Sequence, residues 1–482
     1  MKKKFWYVLV FAVVLVMGAA TGSKVLAKEK TRTDVTQIQL YLGQQISLAD
    51  IPKGSILLSR ENVITISENG MAKAVGKGTV RISVDTEKGI VPYADVQVKE
   101  NEMLAGLSFN QQSFAGRILG AGSFTLDIPQ FRSLTCVWSS ENTAVAAVTR
   151  EGVITPAAPG WVNLKVVVTD QYGGEYSFVI PLHILEPKFS LQKTNLAKGC
   201  QMTLSLVDSS GNPVVYQSYD TSVVSLVSFD ASRVTVKAKK VGKTTITGAV
   251  DGVQFQCEIT VTDPVVKKKY GFYQKKKSLK VSVTGLNAAS KPVYTTSDSS
   301  VAAVTQTGRV RTLKYGSAVI SCQVDGKTLS YYLAVSTKKA VKAMRWGYKQ
   351  VGKKKYSQAR RMSKKYFDCS SFVYRSYRAA GKYLVCRTSW APVAADIARY
   401  YVRKGKQIKA SGTYNLKKLR PGDLICFGGS KARKNGRYKR IYHIAIYIGN
   451  GKTLESSSTY NNVVIRDRGS FKKSSVPVVV RP

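Results

Sequence analysis

Four glycines, Gly78, Gly160, Gly242 and Gly316, recur at steps of 82, 82 and 74 residues, each in the same local setting. Upstream of them stand the polar turns Ser59-Arg60-Glu61-Asn62, Ser139-Ser140-Glu141-Asn142, Tyr219-Asp220-Thr221-Ser222 and Ser297-Asp298-Ser299-Ser300. Downstream run β-branched stretches such as Thr79-Val80-Arg81-Ile82 and Lys243-Thr244-Thr245-Ile246. A period this long is that of whole small domains, not of solenoid turns. Within each unit, short alternating runs of Val, Ile and Thr are broken by turn signals, among them Glu68-Asn69-Gly70, Arg150-Glu151-Gly152 and Gln306-Thr307-Gly308. That spacing predicts a two-sheet antiparallel sandwich in each repeat.

The last third of the chain has a different pattern. After Tyr366-Phe367-Asp368-Cys369, the residues Phe372, Val373, Tyr377 and Ala380 fall at helical spacing and Gly381 is placed to end the helix, so Cys369 is expected at a helix N-terminus. There the helix dipole and free N–H groups favour thiolate and could donate to a developing oxyanion. Only two histidines exist, His183 and His443. His183 lies in a repeat strand and reads as structural, whereas His443, Ala445 and Tyr447 alternate with Ile444, Ile446 and Ile448 in a predicted strand whose His443 face is free for chemistry. Gly449-Asn450-Gly451 reads as a hairpin turn. A three-residue loop pairs Ile448 with Lys452 and brings Glu455 beside His443; a two-residue Asn450-Gly451 loop turns Glu455 away, with Ser457 or Asn461 as substitutes.

Asp368-Cys369-Ser370-Ser371-Phe372-Val373, Arg420-Pro421-Gly422-Asp423-Leu424-Ile425 and His443 through Gly451 resemble, in order, the three blocks of the NlpC/P60 family of peptidoglycan hydrolases. The resemblance implies a papain-like α+β domain and a cysteine peptidase of cell-wall stem peptides, cutting the γ-D-glutamyl bond to the diamino acid. It implies Cys369 as nucleophile, His443 as base and Glu455 as the orienting third member, a position often held by His. Asp368 and Ser370, with Ser389, would hold the free amine of the stem peptide; Tyr356 matches the family's oxyanion tyrosine but lacks the usual Trp-Gly-Gly before it. Asp423 reads as a turn residue. The repeats in turn resemble group 2 bacterial immunoglobulin-like domains, which implies surface spacers or adhesive modules. The expected organisation is a signal peptide at 1–27, Ig-like domains at 28–100, 101–186, 187–262 and 263–337, and the catalytic domain at 338–482.

Lys2-Lys3-Lys4, the apolar run Phe5 to Gly18 and Val25-Leu26-Ala27 have the layout of a secretory signal, so a secreted, wall-associated protein without a membrane span after cleavage is expected. The formal net charge is +45, and the residues from Thr337 onward hold 36 Lys plus Arg against 5 Asp plus Glu. In an exported chain that excess points to anionic wall polymers such as teichoic acids, and export argues against nucleic acid. Seven cysteines leave one unpaired in any full pairing; Cys200 with Cys257 and Cys386 with Cys426 could bridge, or all could be buried thiols. Cys and His do not cluster at ligand spacings, so neither metal nor cofactor is expected, and the chain reads as a monomer. Three alternatives remain open: an amidase cutting between muramic acid and L-alanine, an adhesin with a lapsed catalytic domain, and a secreted effector acting on a protein.

Overall fold

The computed structural model describes residues 35–48, 51–209, 211–430 and 432–482; the expected signal peptide lies outside them. The chain divides into two compact units. The first holds the two sandwiches before Pro187; most of the third sandwich, the fourth and the C-terminal domain form the second.

The period glycines open equivalent long strands, Gly78–Thr86, Gly160–Thr169, Gly242–Val250 and Gly316–Val324, each paired with the strand that follows it. A Cβ on these glycines would lie 3.4, 3.9, 3.1 and 2.8 Å from the Cγ2 atoms of Val63, Val145, Val223 and Val301. Each valine closes the polar turn of its repeat, so the sequence period records one glycine-on-valine contact made four times. The expected all-antiparallel pairing needs correction. In every sandwich the first strand runs parallel to the last: Thr36–Tyr41 with Gly89–Lys99, Arg117–Ile118 with Glu175–Leu185, Lys193–Ala197 with Val253–Thr262, and Tyr270–Tyr273 with Lys327–Val335. Within each sandwich the chain therefore enters at one end and leaves at the other.

The C-terminal domain is α+β. Its helices Lys338–Tyr348, Cys369–Arg378 and Ala394–Arg403 accompany a six-stranded sheet in the order Gln407–Ile408, Val478–Val480, Leu424–Phe427, His443–Gly449, Lys452–Ser457, Asn462–Asp467. One sheet face packs on the helices through Ile444, Ile446, Leu454, Phe372, Val373 and Tyr377. The other is covered too, by Ala445, Tyr447, Phe427, Tyr414 and Phe471. The expected free face on the histidine strand is therefore absent: segments around Tyr414 and Phe471 bury Ala445 and Tyr447, and only His443 at the strand's start is partly exposed.

The fourth sandwich and this domain share a core. Phe272 and Ala334 belong to the cluster that contains Ala340, Met344 and Phe372, Arg345 Nε donates to the Phe272 carbonyl at 2.9 Å, and Ser336 Oγ to that of Pro421 at 2.6 Å. The hairpin tip below His443 is seated here as well, Asn450 N–H donating to Ser317 Oγ at 3.0 Å. Gly449, at φ +101, would place a Cβ 2.2 Å from Ser317 Cβ. Gly449→Ala should thus cost about 2–4 kcal/mol in thermal or urea unfolding, through a left-handed backbone and a clash together. Adding Ser317→Gly should restore only the steric part, and a variant that melts with the wild type would remove this seat from the account.

Candidate active site

Cys369 is the first residue of its helix. The helix starts here because Asp368 closes a capping box: Asp368 Oδ1 accepts the Ser371 N–H at 2.7 Å and the Asp368 N–H donates to Ser371 Oγ at 3.0 Å. It stops at Gly381, φ +70, where the Lys382 N–H reaches the Tyr377 carbonyl at 2.9 Å and that of Gly381 the Arg378 carbonyl at 2.9 Å. With Ser371 used by the cap, the amides of Cys369 and Ser370 are first-turn donors at the positive end of the dipole. The Cys369 side chain is nearly buried, at 6% exposure.

His443 begins its strand opposite Phe427, with ring centroids 5.4 Å apart. Its imidazole lies close enough to Cys369 to interact with it electrostatically, and Nε2 faces Glu455 Oε2 at 3.5 Å, an ion-pair rather than a hydrogen-bond distance. Nδ1 is the nitrogen this leaves for the thiol. Burial works against a charged imidazole, yet the contacts with Cys369 and Glu455 outweigh it and raise the His443 pKa to about 9. Burial likewise disfavours the Glu455 carboxylate, but His443 and Arg468 hold it at about 2.

The loop that joins these strands is the two-residue one, Asn450 at φ +51 and Gly451 at φ +71, with Gly449 paired to Lys452. A three-residue loop was the sequence condition for Glu455 to face His443. A bulge at Ile448 supplies the missing residue: pairing resumes as Tyr447 with Thr453 and Ile446 with Leu454, and one step further Glu455 falls opposite Ala445. Turn and bulge together give the register that either alone would lose.

Arg468 was not singled out by the sequence. Its Nη2 donates to Glu455 Oε1 and Oε2 at 2.7 and 3.0 Å while its guanidinium lies over Phe427 at 4.6 Å; Arg466 adds an ion pair at 3.6 Å and Thr453 Oγ1 a hydrogen bond at 3.0 Å. The available signal was the basic cluster Arg466-Asp467-Arg468 at the end of the strand that follows Glu455. Tyr356 lies near the thiol: burial first, then the Cys369 charge, push its hydroxyl up to about 12. Its N–H is held by Asn461 Oδ1 at 3.0 Å, which commits Asn461 to this strand and not to His443. Ser370 is buried beside Asp368, whereas Ser389 is exposed and among the described contacts makes none with the others. Asp423 is more than a turn residue: fully buried, it accepts Arg481 Nε and Nη2 at 2.8 and 2.7 Å, and burial raises its carboxyl. All seven cysteines are free, and His183 stacks on Trp161 at 4.3 Å in the second sandwich. Among the described residues no group of three or more His, Cys, Asp and Glu is placed to hold a metal ion, and no helix is long and apolar enough to cross a membrane.

The model of the NlpC/P60 family matches residues 346–477, which contain every residue of this cluster. These residues form an NlpC/P60 domain. The family consists generally of cell-wall cysteine peptidases and hydrolases. Among solved structures, an NLP/P60-family protein similar to lipoprotein from Staphylococcus aureus is 20% identical, over 28% of this chain and 37% of that one, at TM-score 0.20. Domains 4 and 5 of the S-layer protein SbsC are 20% identical over 32% of this chain and 99% of theirs, at TM-score 0.15, and the integrin-binding protein invasin 15% over 60% and 72%, at 0.21. Every acid of the NlpC/P60 domain and its flanks is paired with a cation: Asp368 with Arg361, Asp396 with Arg399, Asp423 with Arg481, Glu455 with Arg468 and Asp467 with Lys452.

Proposed function

We propose that the protein is a secreted cysteine endopeptidase of peptidoglycan stem peptides, cutting the γ-D-glutamyl bond to the diamino acid. One observation carries the reading: a thiol at a helix N-terminus, interacting with an imidazole that also faces a buried, ionised carboxylate. In this mechanism His443 holds Cys369 as thiolate or takes its proton, and the sulfur attacks the amide carbonyl. The amides of Cys369 and Ser370, with the Tyr356 hydroxyl, stabilise the oxyanion. His443 protonates the departing amine, then activates water to hydrolyse the thioester, and Glu455 orients and stabilises the imidazolium. The four sandwiches act as spacers that reach into or across the wall. The unpaired cations of the catalytic domain draw it to anionic wall polymers such as teichoic acids, an attraction that salt would weaken.

Digestion of purified wall, with the new termini read by mass spectrometry, tests this. The expected products carry a free amine on the diamino acid and a new carboxyl on D-glutamate. Release of whole stem peptides beginning with L-alanine would make the enzyme an amidase instead, and wall left intact would end the peptidase reading.

A further inference from the structure

Asp368, immediately before the nucleophile, is already ion-paired and nearly buried. Oδ1 accepts from Ser371 N–H and from Ser370 Oγ at 3.3 Å, and Oδ2 faces Arg361 Nε at 3.2 Å. Arg361 is fixed through Nη2, which donates to Ser370 Oγ at 2.8 Å and to the carbonyls of Ala391 and Pro392 at 3.1 and 3.2 Å, while its buried Nε faces Asp368 without a hydrogen bond. The two side chains are 11% and 8% exposed, so the pair is a fixed part of the wall beside the thiol. A lone carboxylate there would attract an ammonium group; one joined to a guanidinium does not, and a buried guanidinium favours negative charge nearby. On the imidazole side, Glu455 is paired with Arg468 and Arg466. Three arginines thus face two carboxylates around the Cys369–His443 pair.

We infer that Arg361 makes the subsite beside Cys369 one for a substrate segment acylated at its amino end and bearing a carboxylate, and closes it to a free ammonium group. Resting on the peptidase reading, this assigns as substrate a stem peptide still attached to its glycan, ahead of any reaction that releases free-amine peptides.

The potential at the thiol can be read without any substrate. In the full-length protein, Cys369 is treated with 2-sulfonatoethyl or 2-(trimethylammonio)ethyl methanethiosulfonate, which transfer their alkylthio group to the thiolate and expel methanesulfinate. Modification is followed by mass spectrometry of the Cys369 peptide, because Cys386 is exposed and also reacts. With each rate divided by that of the same reagent on a free thiol such as 2-mercaptoethanol, since the cationic reagent is intrinsically the faster, the anionic reagent should react about tenfold faster than the cationic one. Arg361→Gln, which strands Asp368, should reverse that preference, and Arg361→Lys should keep it. A wild type that prefers the cationic reagent overturns the inference even if the Gln variant fails to fold, and so does a ratio that Arg361→Gln leaves unchanged. In parallel, an N-acetylated stem tripeptide should be cut at least about tenfold better than its free-amine twin. The opposite order overturns the inference. Cleavage of neither counts against the peptidase reading, and the reagent ratio then decides the subsite alone.

Discussion

Cys369→Ala should yield a folded protein that no longer cleaves wall peptides, with turnover down by at least about 10⁴-fold. The loss is large because the sulfur is the atom that forms the covalent intermediate, and the neighbouring amides can only stabilise charge that no nucleophile has created. Stability should change little, within about 1 kcal/mol, since one small buried atom is removed from the rim of the core. A second readout separates catalysis from folding. Cys369 is among the groups that raise the His443 pKa, so its removal should lower that titration. The chain has only two histidines, so imidazole proton resonances can follow both, with His183 as an internal reference. A variant that keeps a tenth of wild-type turnover, or in which His443 still titrates near 9, would mean that the thiol and imidazole do not act as a pair.

The repeats and the nucleophile helix were legible in the sequence because their signals are local. A glycine that must pack on a valine, or an aspartate capping the turn after it, leaves its mark within a few tens of residues. The parallel outer strands were not legible, since the partners Thr36 and Ala94 are joined only through the whole sandwich between them. The glutamate's position was legible only as a choice between loop lengths: the sequence offers Asn450-Gly451 as the turn, but no local signal announces the bulge at Ile448 that restores the register. Arg361 and Arg468 were hidden for another reason. In a domain so rich in cations, two arginines that bury themselves against carboxylates look no different from those that face water.

Glu455 is where chemistry and stability meet, and two substitutions should part them. Glu455→Ala strands Arg468, 20% exposed in its side chain, and should destabilise the domain by about 3–5 kcal/mol. Glu455→Gln keeps an acceptor for Arg468, so it should fold while losing turnover by roughly 10²–10⁴-fold, the imidazolium now lacking its counter-charge. The pH profile gives the sign. Glu455 titrates at about 2 against a reference of 4.5, so its contribution is present above pH 4.5 and lost as pH falls from there toward 2. His443 titrates at about 9 against 6.5, so its contribution is full below pH 6.5 and disappears as pH rises toward 9. Together they favour the folded wild type most between pH 4.5 and 6.5. In Glu455→Gln the acid-side loss should vanish, and the alkaline limb of both Tm and kcat/KM should move to lower pH because one of the two charges that raise His443 is gone. Melting profiles that superimpose on the wild type from pH 3 to 10 would show that this carboxylate neither holds the imidazolium nor anchors the arginine.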